Sequence, residues 1–106
     1  VYAAVRKPVL IYLGLRVRLV FEEGTSLIEI SNAKENIRVA IKNYADNIDV
    51  GGDFMVSEAL RRMKNTSDSI SDLTIETMHL NQTQNFVRNV SANKGERIFL
   101  EHVTIV

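Results

Sequence analysis

His79 and His102 are the only histidines in the chain. Each falls on a segment that reads as a strand, so the two could meet across a closing hairpin and share a metal ion. A protein metal centre needs three or four ligands. Neither an HxH pair, an HExxH pair nor any cysteine stands with them. Surface-facing strand histidines are the better account, and no metal site is assigned. Glu22-Glu23 could be paired carboxylates for acid–base work, but Gly24-Thr25 follows at once, which makes them solvated turn charges. No serine, histidine and acid arrangement has a local signature. Ser57 falls on a helical stretch, not on a G-x-S-x-G elbow. Gly51-Gly52 lacks both the GK[ST] and the preceding strand of a phosphate loop. Asn65-Thr66-Ser67, Asn81-Gln82-Thr83 and Asn89-Val90-Ser91 match the glycosylation sequon, as a chain rich in Asn, Ser and Thr does by chance. No catalytic residue, cofactor-binding residue or cofactor is assigned.

The totals agree with a non-catalytic reading. A chain of 106 residues, 45% hydrophobic and 25% charged, suits one soluble compact domain, residues 1–106. It can bury a core without disulfides, and it has no cysteine with which to make one. Thirteen basic and 13 acidic residues cancel, so the basic excess of a nucleic-acid binder is missing. The apolar run Val9 to Leu15 is too short to span a bilayer, and membrane insertion is not expected. The chain begins at Val1, not Met, which reads as a domain of a longer protein or a processed product. Residues 1–8 form a lead-in.

The elements follow from periodicity. From Leu13 the pattern alternates: Leu13, Leu15, Val17, Leu19 and Phe21 point one way, and Tyr12, Gly14, Arg16, Arg18 and Val20 the other. This is a half-buried strand whose arginine face meets water or a partner. The helix after it has two candidate starts. Ser26-Leu27-Ile28-Glu29 and Asn32-Ala33-Lys34-Glu35 both fit a capping box, so it begins near Leu27 or near Ala33. Ile30, Ile37, Ile41, Tyr44 and Ile48 form its apolar side. Gly51-Gly52 ends it, and Asp53 is the expected N-cap of a second helix with Val56, Ala59, Leu60 and Met63 on its apolar side. Gly51, Gly52 and Asp53 are therefore the expected structural turn. Strands are predicted over Leu73–Leu80 and Arg97–Val106, and Asn81 to Glu96 is a long polar hairpin connection with a strand-like piece from Phe86 to Val90. The expected fold is α+β: a two-layer sandwich in the order β-α-α-β-β, with a three-stranded sheet and two helices on one face.

Several pieces in order resemble the C-terminal region of baseplate J-like proteins, wedge components of contractile-tailed phages and related injection particles. Val1-Tyr2-Ala3-Ala4 with Pro8-Val9 resembles the family's entry into a strand, and Leu15 to Val20 its alternating strand. Val39 to Tyr44 resembles the helix ending in an aromatic. Gly52 to Leu60 resembles the glycine-then-S-x-L restart. Ile70 with Leu73-Thr74-Ile75 resembles the step into the next strand, with Ser69 where the family has glycine. Gly95-Glu96 and Leu100 to Ile105 resemble the closing strand.

The resemblance implies a structural module, not an enzyme. It would be the C-terminal domain of a longer baseplate protein, assembled in the bacterial cytoplasm and resident in the virion baseplate. Its partners would be other baseplate and tail proteins, in an oligomeric particle and with no small-molecule ligand. Arg16 and Arg18 on the first strand, and Asn85, Phe86 and Arg88 in the polar connection, are the candidate partner-contact residues, and cutting out Asn85–Asn93 is expected to weaken assembly without unfolding the domain. The alternative is a winged helix-turn-helix DNA reader, from Arg61, Arg62 and Lys64 on the second helix. A ferredoxin-like ligand-binding module is a third reading, which the β-α-α-β-β order fits poorly.

Overall fold

The computed structural model describes residues 8–106; the rest of the lead-in, with Val1-Tyr2-Ala3-Ala4, lies outside the described residues. The elements are β1 (Val9–Phe21), α1 (Leu27–Asp46), β2 (Asp53–Phe54), α2 (Val56–Lys64), β3 (Ile70–Leu80), β4 (Thr83–Asn85), β5 (Val90–Ser91) and β6 (Glu96–Ile105). The main sheet has four strands in the order β4-β3-β1-β6, and β2 with β5 makes a separate two-stranded ribbon. The architecture is therefore mixed α+β with two helices, but neither the expected three-stranded sheet nor the β-α-α-β-β order holds.

The alternating strand β1 is the centre of the sheet. It runs antiparallel to β3 and parallel to β6. Leu13, Leu15 and Val17 are buried. They share one core with Ile37, Ile41 and Tyr44 of α1 and Ala59 and Met63 of α2. Arg16, Arg18 and Val20 lie on the opposite, exposed side. The last strand thus returns to the far side of β1 rather than pairing with β3, so no closing hairpin joins the two histidine strands. Strand composition dictates neither neighbour nor direction; both are set by how the connection 81–96 is laid out.

α1 starts at the first of the two candidate caps. Ser26 is extended, and its hydroxyl accepts a hydrogen bond from the Glu29 N–H at 3.2 Å. One orphan donor of the first turn is so satisfied. The helix ends with Asn47 as C-cap.

The paired glycines do more than separate two helices. Gly51 has φ +79°, in the region that favours glycine, and its N–H donates to the Glu96 carbonyl at 2.7 Å. At Gly52 a Cβ would lie 2.9 Å from the Asp49 carbonyl oxygen, so any larger residue would push on backbone. The chain leaves this turn as β2, paired with β5 through Asp53↔Ser91 and Phe54↔Val90. Asp53 is therefore a strand residue and not the cap expected of it. Met55 holds the N-cap position of α2 and makes no side-chain cap bond. The cap comes from a distance instead: the Val56 N–H donates to Asn89 Oδ1 at 2.8 Å, and the Met55 N–H donates to the Tyr44 hydroxyl at 2.9 Å.

The connection 81–96 is built, not loose. Asn81 and Gln82 both have positive φ, 50° and 68°, and turn β3 into β4. Two successive positive φ values form the tight hairpin turn usually supplied by Asn-Gly. With glutamine in the glycine place, the sequence does not announce it. Val90 is buried. The extended pieces thus lie at Thr83–Asn85 and Val90–Ser91, so that of the expected Phe86–Val90 stretch only Val90 is in a strand, and each piece is too short to show a period of two.

Candidate functional site

The exposed surface with the most built structure is the outer face of the sheet. Tyr12, Gly14, Arg16, Arg18 and Val20 of β1 lie there, and register adds Phe99, His102 and Thr104 from β6 and His79, Thr77 and Thr74 from β3. Tyr12 and Phe99 meet edge-on, with ring centroids 5.7 Å apart. They remain 41% and 40% exposed, so an edge-on aromatic pair faces outward. Arg16 pairs with Glu76 at 3.6 Å. Both are exposed, and such a pair adds about 0–1 kcal/mol to stability. Arg18 lines an open depression with Val20, Asp72, Thr74, Ile75 and Glu76.

Gly14 organises the middle of this face. His79 and His102 both stand opposite it, one on each neighbouring strand. The His102 ring lies over the glycine, where a Cβ would sit 2.1 Å from its Cε1. The two imidazole centroids come within 6.2 Å of each other. The histidines thus meet, but over the central strand and not across a hairpin. Among the described residues no three His, Cys, Asp or Glu side chains gather closely enough to hold a metal ion.

The sheet also has open edges. β4 covers β3 only at Met78–Leu80. On the other side, the bonds Val9 N–H to Gly95 O and Val106 N–H to Val17 O fix which β6 groups face β1. With the register, the N–H and C=O groups of Leu100, Val103 and Ile105 point away from β1, while Ile98 is buried. Among the described residues no backbone hydrogen bond is made to them.

Of the expected contact residues, Arg16 and Arg18 share the outer face. Asn85, Phe86 and Arg88 sit apart from them, at and after β4. The Asn85 amide donates to the Thr83 carbonyl at 2.8 Å, which holds the hairpin end. Phe86 is 89% exposed. Sequence reasoning missed the Tyr12–Phe99 pair and the imidazoles over Gly14. A glycine interrupting an alternating strand was the available signal, since it marks a close approach.

The basic residues of α2 are engaged within the helix. Arg61 and Arg62 both donate to the Glu58 carboxylate, Arg62 Nε at 2.8 Å. The Arg61 bonds first, then the Arg62 bond, pull the Glu58 pKa down from 4.5 to about 2. The Arg62 guanidinium also lies 5.0 Å over the Tyr44 ring. No helix among the described residues is long and apolar enough to cross a membrane. No protein-family model matches the chain, and no curated protein matches it.

Proposed function

We propose that this chain is a structural assembly module of a phage or phage-like tail baseplate, working by protein–protein contact in the wedge. The observation that carries the reading is the outer face of the sheet, which no described residue covers. There Arg16, Arg18 and an outward aromatic pair stand on firmly hydrogen-bonded strands beside open edges. Exposed edges and aromatic patches are what partner proteins bind. The resemblance to baseplate J-like proteins supports the particular setting: other baseplate and tail proteins as partners, an oligomeric particle, assembly in the bacterial cytoplasm and residence in the virion. Nothing in the site favours the DNA-reading alternative, because Arg61 and Arg62 share one carboxylate and the formal net charge is +0. A photo-cross-linking residue at position 18 or 86, in the parent protein in its host, tests the reading. Capture of tail or baseplate proteins is expected.

A further inference from the structure

We infer that His79 and His102 form a two-imidazole site for a divalent transition-metal ion of the zinc and copper class, on the outer face of the sheet. The inference does not depend on the assembly reading. The two residues lie on the strands either side of β1, and both stand opposite Gly14. Two strand spacings put their backbones about 10 Å apart. Their ring centroids are nevertheless only 6.2 Å apart, with the rings tilted by 44°. Gly14 makes this approach possible. The His102 ring lies over it, in the space that any side chain at position 14 would take. The central strand therefore puts nothing between the two imidazoles.

The span fits one ion. A metal–nitrogen bond of about 2 Å puts the ion about 3 Å from each ring centroid, so two rings on one ion have centroids roughly 5–6 Å apart. A small side-chain rotation closes the difference. The donors are also free. Among the described residues, no hydrogen bond or ion pair engages either ring. His102 is exposed and His79 half-buried, so an ion can reach them from solvent. The charges nearby do not repel it strongly. Arg16, the next outward residue of β1, is offset by Glu76 at 3.6 Å, and exposed Glu101 adjoins His102. Two imidazoles supply half the donors of a tetrahedral ion, so water completes the shell and the site stays open, unlike a closed structural centre. Neutral nitrogen donors suit Zn²⁺, Ni²⁺ and Cu²⁺, whereas Mg²⁺ and Ca²⁺ take oxygen.

Zinc chloride titrated into the untagged 106-residue chain, followed by NMR of the histidine rings, tests this. Both imidazoles are expected to shift together and to saturate at one ion per chain, and magnesium chloride should leave them unmoved. His79→Asn and His102→Asn should each weaken zinc binding roughly 10- to 100-fold, as loss of one arm of a two-point attachment does. Gly14→Ala keeps both histidines but displaces a ring, so it should weaken binding too, with the backbone amide spectrum reporting that the chain is folded. Zinc should raise the Tm of the parent chain and not of the two histidine variants. Movement of one ring only, or unchanged affinity in any of the three variants, would overturn the inference. So would saturation at half an ion per chain, which would make the ion a bridge between two copies. If Gly14→Ala fails to fold, the two histidine variants, changed at positions away from the core, decide the matter.

Discussion

Gly14 shows how one residue can set a surface. It lies mid-strand, where glycine weakens a sheet, yet it gives the His102 ring its seat. A methyl group there must drive the ring off. We expect Gly14→Ala to lower stability by about 1 kcal/mol, roughly 4–8 °C in Tm, and His102→Ala in the same chain to abolish most of that loss. Thermal melts of the two single variants and the double variant check the coupling; additive effects would show that the ring is not the cause. Glu58 gives a pH prediction. Its folded pKa of about 2 lies below the ordinary 4.5, so its contribution is present above pH 4.5 and is lost as pH falls from there toward 2. Glu58→Gln should flatten the fall in Tm across that window. The effect should shrink in high salt, because the group is exposed. The alternation of β1 made the two faces and the arginines readable from the chain alone. The imidazoles over Gly14 were not readable, because they depend on which strands flank β1, and no single strand contains that information.

At the scale of elements, α2 shows why some of the fold escaped the sequence. Its apolar spacing is clear, and so is the glycine break before it. Its cap is not local. Asn89, 33 residues away in the chain, accepts from the Val56 N–H. Asn89→Ala should cost about 1 kcal/mol, as loss of an N-cap does, and should speed amide exchange in the first turn of α2 specifically. Deleting Asn85–Asn93 would also remove buried Val90 and the partner strand of β2. Chemical denaturation should then show a loss well beyond that of Asn89→Ala. The connection therefore belongs to the fold as well as to the candidate contact surface, whereas the chain alone leads one to expect that cutting it out weakens assembly and leaves the domain folded. A polar segment with two- and three-residue strands gives no period to read. The helices and the three long strands did show theirs, and the choice between two capping boxes for α1 was settled by Ser26.

For the whole molecule, the helices close one side of the sheet and leave the other to water among the described residues. That asymmetry was visible in the charge pattern of β1 before any coordinates. The parallel return of β6, which places Phe99 and His102 on the same face, was not. The central claim is that this open side works by holding other proteins. The most direct measurement is the identity of whatever cross-links to position 18 in the host. The account predicts tail or baseplate polypeptides, with capture much reduced when Arg16 is changed to Glu and the melting temperature is unchanged. Capture of nucleic acid, or the same products with and without that change, would contradict it.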